Sequence, residues 1–297
     1  MDYVELLRDT PVLWTGIAAV VGLLVGSFLN VVILRLPVML ERQWKAEFME
    51  ISGTQSTVVA ETFNLVTPRS RCPSCGMSIK AQHNVPVLSW LLLRGRCANC
   101  RARISVRYPV IEGACSLLSG IVAWRFGFGL PAVAGLVLTW FLLALTFIDL
   151  DHQLLPDNLT LPLVWLGLLL SLAHGPDSVA PLPVTPTDAI IGAAAGYLFL
   201  WLVFQLFRLI TGKEGMGYGD FKLFAALGAW LGWQMLPLIL LLSAGVGALI
   251  GIALILVRRR GRDIPIPFGP YLAGAGWIAL LWGHDLVEGY LRVSGLR

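Results

Sequence analysis

Apolar residues come in long unbroken runs along this chain, and polar residues gather in the gaps between them. Eight runs stand out, near residues 12–35, 108–126, 130–149, 158–174, 188–209, 219–233, 236–257 and 267–283. A helix needs about 20 residues to cross a hydrocarbon core of ~30 Å. Most of the runs are long enough; the sixth and eighth are short. The pattern predicts an all-α polytopic membrane protein with about eight transmembrane helices. Composition agrees, since 57% of the 297 residues are hydrophobic and 13% charged, against roughly half and a quarter in soluble domains. The opening "MDYVELLRDT" is acidic, the apolar stretch after it is long, and no small-residue cleavage site follows. The first run is therefore expected to stay as a membrane helix rather than leave as a signal peptide.

One interval breaks the pattern. Residues 37–107 are polar, rich in Arg and Ser, and hold four of the five cysteines. The chain is thus expected to divide into a first transmembrane helix (1–36), an insert (37–107) and a seven-helix membrane domain (108–297). The first half of the insert, up to Pro68, has weak helical character followed by a polar, β-branched stretch. Lys and Arg mark the loops that stay in the cytoplasm, and the insert carries Arg42, Lys45, Arg69, Arg71, Lys80, Arg94, Arg96, Arg101, Arg103 and Arg107. Alternating from there, "RLITGKEGMGYGD" and "VRRRGRD" fall on the same side, and the base-free "HGPDSVAPLPVTPTD" falls on the other. Only Arg125 runs against the trend. The formal net charge of +4 reads as a topology signal; the expected surroundings are lipid, not nucleic acid. No internal repeat suggests the duplicated halves of a transporter.

Within the insert, "RCPSCG" and "RCANC" place Cys72, Cys75, Cys97 and Cys100 as two CxxC pairs, with residues 76–96, 21 in all, between them. Each pair can set two thiolates on one tight knuckle, and two knuckles complete a tetrahedral Zn²⁺ site. Pro73 and Gly76 suit the turn of the first knuckle, while Arg71, Arg96 and Arg101 favour thiolates over thiols. Two disulfides are the alternative, which a reducing cytoplasmic loop disfavours. Four thiolates leave no open position on the metal, so its role is structural. Cys115, alone in the second run, reads as a small buried hydrophobe.

Carboxylates inside membrane helices are costly, and so are candidates for function. "LLALTFIDLDHQLLPDNLTLPLVW" supplies Asp149, Asp151 and Asp157, and "GMGYGDFKLFAALGAW" supplies Asp220. On the topology above, all four meet the cytoplasmic face. Asp157 or Asn158 reads as a helix N-cap. Asp149 and Asp151 point to nearly opposite faces of a helix that turns about 100° per residue, so only one can meet a given partner. Asp149 is the deeper; Asp151 and His152 read as interfacial. Asp220 is either a helix cap or something more. Gly215, Gly217 and Gly219 disfavour helix, and non-helical backbone at membrane depth is tolerated only inside protein or along a cavity. An edge without side chains can receive a peptide in extended form, which makes Gly217 and Gly219 candidate substrate-binding residues. Lys222 either tunes the charge of the acids or snorkels to the interface.

Other chemistries are missing their parts. The glycines are not followed by Gly-Lys-Ser/Thr, and no βαβ pattern surrounds them. HExxH is absent, and no serine in a Gly-x-Ser-x-Gly setting has a histidine partner. Two aspartates sharing a site can titrate as a pair, one holding a proton while the other activates water against a peptide carbonyl.

"FIDLDHQLLPD" followed by "GMGYGD", the double CxxC loop and the opening "GSFLNVVILRLP" together resemble the prepilin leader peptidases, also called type IV prepilin peptidases and N-methyltransferases. The likeness covers nearly the whole chain and includes "NVPVLSWLLLRGRC" and "IPFGPYLAGA". It implies an intramembrane aspartyl endopeptidase of the GxGD type. The implied catalytic pair is Asp149, seven residues before Pro156, and Asp220, which closes "GYGD". It also implies that prepilins and type II secretion pseudopilins are cut after a Gly at the cytoplasmic side of the bacterial inner membrane. The new N-terminal residue would then be methylated from S-adenosylmethionine. No methyl-donor motif is visible in residues 37–107, so that cofactor follows from the resemblance alone. Two other readings stand beside this one. A polytopic ion-coupled transporter with a zinc-bound regulatory loop predicts acids near the bilayer midplane, and a membrane scaffold predicts that both aspartates tolerate Asn.

Overall fold

The computed structural model describes residues 3–53, 62–175, 182–258 and 267–295. The β-branched stretch of the insert, part of the base-free loop and nearly all of "VRRRGRD" lie outside the described residues. Among the described residues the structure is helical apart from two isolated β-bridges, and the chain forms two compact units, 1–124 and 125–297.

The first unit contains α1 (Tyr3–Asp9), α2 (Pro11–Ile51), α3 (Leu88–Leu92) and most of α4 (Arg107–Phe126). α2 has 41 residues, about 60 Å at 1.5 Å per residue. It continues through Pro37 far beyond the end of the first apolar run. Its polar second half is made of good helix formers and carries Glu41–Lys45 and Gln43–Glu47 contacts one turn apart. The weak helical signal of the sequence is therefore continuous helix here. α2 and α4 approach closely because Gly22 and Gly26 carry no side chain. A Cβ on Gly22 would lie 2.7 Å from the Ser119 hydroxyl, and one on Gly26 would lie 2.8 Å from the Glu112 Cα. Two polar contacts bind the same face: the Ser116 hydroxyl donates to the Ala19 carbonyl at 2.8 Å, and the Asn30 amide donates to the Tyr108 carbonyl at 3.2 Å. Cys115 is fully buried against Gly26, the small apolar filler expected.

The second unit is built from α5 (Leu130–His152), α6 (Asp157–Ser171), α7 (Pro186–Thr211), α8 (Tyr218–Leu231), α9 (Leu236–Arg258) and α10 (Gly269–Val293). All eight apolar runs are thus helices. Among the described residues four segments are long and apolar enough to cross a membrane: Pro11–Ile51, Leu130–His152, Pro186–Thr211 and Trp233–Ala253. α8 is short and lies inside the unit. Asp220, Phe221 and every residue from Leu223 to Leu231 are buried, which is why the helix is apolar on every face.

α7 meets α8 backbone to backbone. A Cβ on Gly192 would fall 2.2 Å from the Gly228 carbonyl oxygen, and one on Gly228 would fall 2.1 Å from that of Gly192. On the α6 side, the Trp230 indole donates to the Leu163 carbonyl at 2.8 Å, and Gly167 leaves room for its ring. Gly228→Ala forces these helices apart and is expected to cost about 1–3 kcal/mol or more. Thermal unfolding in detergent checks this, and an unchanged midpoint would mean that α7 and α8 part freely.

Candidate active site

Asp149 lies in the last turn of α5. The helix stops there because Gln153 adopts a left-handed conformation, φ 51°, and returns its N–H to the Asp149 carbonyl at 2.9 Å. The chain then runs extended to Pro156, which occupies the N-cap of α6. This corrects the expectation for Asp157 and Asn158: neither is the N-cap, and no side chain caps this helix. Asp157 is instead an exposed first-turn acid whose Oδ1 receives the Lys222 Nζ at 2.5 Å. Lys222 therefore ties the start of α8 to the start of α6.

The Asp149 carboxylate is only 5% exposed, and its Oδ2 accepts the Gly269 N–H at 3.0 Å. Gly269 opens α10, and a Cβ there would sit 2.6 Å from the same oxygen. Only glycine lets the backbone come this close.

Asp220 is the third residue of α8 and is 7% exposed. The N-cap is Gly217, in extended backbone, so Asp220 is not the cap. The Asp149 carboxylate is within electrostatic reach of Asp220, and among the described residues no cation pairs with either. Gly219 lies inside the first helical turn rather than in an extended edge. A Cβ on it would be 2.6 Å from the Leu155 Cβ, and the Leu155 Cδ1 also abuts Gly269. Leu155 is thus the wedge on which the end of α5, the start of α8 and the start of α10 converge. Gly217 keeps the extended form, φ −81° and ψ 149°, while Gly215 packs against the Phe207 ring. Asp151 and His152 are exposed, as expected for interfacial residues.

The four insert cysteines form a second site. Their sulfurs all lie within 4.8 Å of one another, with Cys72 and Cys100 3.8 Å apart. A tetrahedral metal with ~2.3 Å bonds to sulfur holds its ligands about 3.8 Å from each other, so the residues fit such an ion. The two knuckles are built alike. Cys72 N–H bonds the Met77 carbonyl at 2.9 Å and Cys97 N–H bonds the Ala102 carbonyl at 2.8 Å, flanked by the bridges Arg71–Ser78 and Arg96–Arg103. Gly76 and Arg101 hold the equivalent left-handed positions, φ 70° and 62°. Backbone N–H groups, those of Cys75, Met77 and Cys100 first, hold the thiols of Cys72, Cys75 and Cys97 below the ordinary cysteine value. Despite the Ala102 N–H, partial desolvation within the cluster and its three neighbouring thiols push the exposed Cys100 up to about 11.

Sequence reasoning missed two residues. Gly269 sits in a stretch that carried no role, because its partner is 120 positions away. Glu112, in the second apolar run, is buried and accepts the Val87 N–H at 2.7 Å; an acid inside such a run was the available signal.

These features define a class: a helical, multi-pass membrane protein with two buried aspartates at converging helix ends and a four-thiol cluster able to hold a metal. Residues 20–126 match the family described as Bacterial Peptidase A24 N-terminal domain, and residues 136–252 match the Type IV leader peptidase family. The chain is 53% identical over 296 residues to the prepilin leader peptidase/N-methyltransferase of Stutzerimonas stutzeri, and 53% identical over 297 residues to that of Pseudomonas aeruginosa; each alignment covers 100% of both chains. To the Aeromonas salmonicida protein of the same name it is 56% identical over 289 residues, 97% of each chain. No solved structure matches. The chain belongs to the prepilin leader peptidase/N-methyltransferase family, peptidase A24.

Proposed function

We propose that this protein removes the leader from type IV prepilins and type II secretion pseudopilins after a Gly, with Asp149 and Asp220 as the catalytic dyad, and then methylates the new N-terminus from S-adenosylmethionine. The observation that carries the peptidase reading is two buried carboxylates within electrostatic reach of each other and without a cationic partner among the described residues. Two such acids in one low-dielectric site share a proton. The ionised member takes a proton from water as the oxygen attacks the scissile carbonyl, and the protonated member donates to the carbonyl oxygen. The Gly269 N–H holds one oxygen of Asp149, leaving the other to work on water. Gly217 keeps a side chain away from Asp220, whose Oδ2 a Cβ there would meet at 3.8 Å, and its extended backbone offers a peptide edge to the leader.

About eight crossings, with the Lys- and Arg-rich loops inside, would have both acids and the insert at the cytoplasmic face of the bacterial inner membrane. Cys72, Cys75, Cys97 and Cys100 hold one structural Zn²⁺. When bound, S-adenosylmethionine supplies an activated methyl group to the freed amine.

The test is incubation of the purified protein with a prepilin-like peptide, reading cleavage position and added mass by mass spectrometry. Cleavage after Gly and a gain of one methyl on the new N-terminus are expected. An intact peptide alongside acid-dependent ion flux in vesicles would favour the transporter reading.

A further inference from the structure

The first unit contains a cavity of about 680 Å³, inside the ~300–1,000 Å³ range of small-molecule sites. The knuckles, the segment around Val87 and the facing sides of α2 and α4 line it, with Asn30, Arg71, Lys80, Trp90, Tyr108 and Glu112 in its walls. Glu112 is the unusual member. It is 8% exposed, accepts the Val87 N–H at 2.7 Å and a bond from the Ser27 hydroxyl, and among the described residues pairs with no cation. Val87 offers that N–H from φ 58°, a conformation β-branched residues rarely adopt. The fold thus fixes a carboxylate at the wall of a cavity with two neutral donors, the Val87 N–H and the Ser27 hydroxyl, bonded to it, while Arg35, Arg71, Lys80 and Arg103 line the cavity without pairing with it. Burying an ion this way is costly unless a cation meets it.

We propose that this cavity binds S-adenosylmethionine, with the Glu112 carboxylate facing its sulfonium. The proposal rests on the methyltransferase reading above and adds where the donor sits and what holds its charge. The rings of Trp90 and Tyr108 offer apolar faces for the adenine. Arg71 and Lys80, exposed on the wall, suit the donor's own carboxylate. In the transfer, the lone pair of the freed amine forms a nitrogen–carbon bond as the carbon–sulfur bond breaks. S-adenosylhomocysteine leaves, and the surplus proton on nitrogen passes to solvent.

The test measures binding of S-adenosylmethionine and of S-adenosylhomocysteine, a thioether without the sulfonium charge, to the full-length protein in nanodiscs. Glu112→Gln keeps the shape and an oxygen for the Val87 N–H, and exchanges the charged second oxygen for a neutral amide NH2. It is expected to weaken S-adenosylmethionine binding at least about tenfold and S-adenosylhomocysteine binding much less. Val31→Trp, which fills the cavity, is expected to abolish both. Zinc content reports whether each variant is folded, and photo-crosslinking of radiolabelled donor to the wild-type protein maps the site without any substitution. If the wild type binds donor but folded variants bind it equally well, or the label maps outside the cavity walls, the proposal falls and the methyltransferase reading stands. If the wild type neither binds the donor nor methylates a cleaved peptide, both fall.

Discussion

Asp149→Asn and Asp220→Asn each abolish leader removal, with a loss on the order of 10⁴-fold in the rate of peptide cleavage, the scale seen when one member of a catalytic unit is removed. Asn has the shape of Asp, and at position 149 its amide oxygen still accepts the Gly269 N–H. The helix ends and the Leu155 wedge therefore stay in place. What each variant loses is the ability to exchange a proton with water or the substrate. Asp151→Asn is the control, since Asp151 is exposed on another face of the same turn and its loss is expected to stay within a few-fold, as for surface substitutions. Cleavage of a prepilin-like peptide, read by mass and paired with a thermal melt, separates lost chemistry from lost fold. Wild-type cleavage by either Asn variant would remove the dyad.

The second large effect is loss of the metal. Purified protein is expected to contain about one zinc per chain, and Cys72→Ser with Cys97→Ser to contain none. Within residues 70–104 the regular structure is a 3₁₀ turn, the five-residue α3 and two isolated bridges, too little to close an apolar core. In small zinc modules the ion supplies ~10–16 kcal/mol of folding free energy, so this segment should loosen without it. Limited proteolysis should then cut between residues 62 and 106, and methyl transfer should be lost. Peptide cleavage is expected to fall less, because both aspartates belong to the other compact unit. A metal-free variant as protected as the wild type would refute a structural zinc.

Much of this architecture was legible because lipid imposes a coarse code. Runs of apolar residues must become helices, and each of the eight did. The two CxxC pairs were legible because a tetrahedral site needs close pairs of thiols. Asp149 and Asp220 stood out because acids are rare in such runs. The misreadings were local. Asp157 looked like a cap, yet the rigid φ of Pro156 placed the helix start one residue earlier. Gly219 looked like part of an open edge, yet its empty side is filled by Leu155. The insert's first half looked weakly helical, yet α2 already runs into it from the membrane side, so no new helix has to be nucleated. What the sequence could not offer was pairing at a distance. Gly269 with Asp149, Val87 with Glu112 and Lys222 with Asp157 join residues whose spacing along the chain follows no period.

The packing of α8 bears on how such an enzyme can acquire new specificity. Asp220 shares this helix with Gly228, whose backbone touches that of Gly192 two turns further on. A substitution that merely crowds the far end therefore also moves an acid at the near end, so residues 218–231 offer almost no neutral drift. Variation that changes which leaders are accepted must accumulate elsewhere, on surfaces that can be altered without shifting this helix.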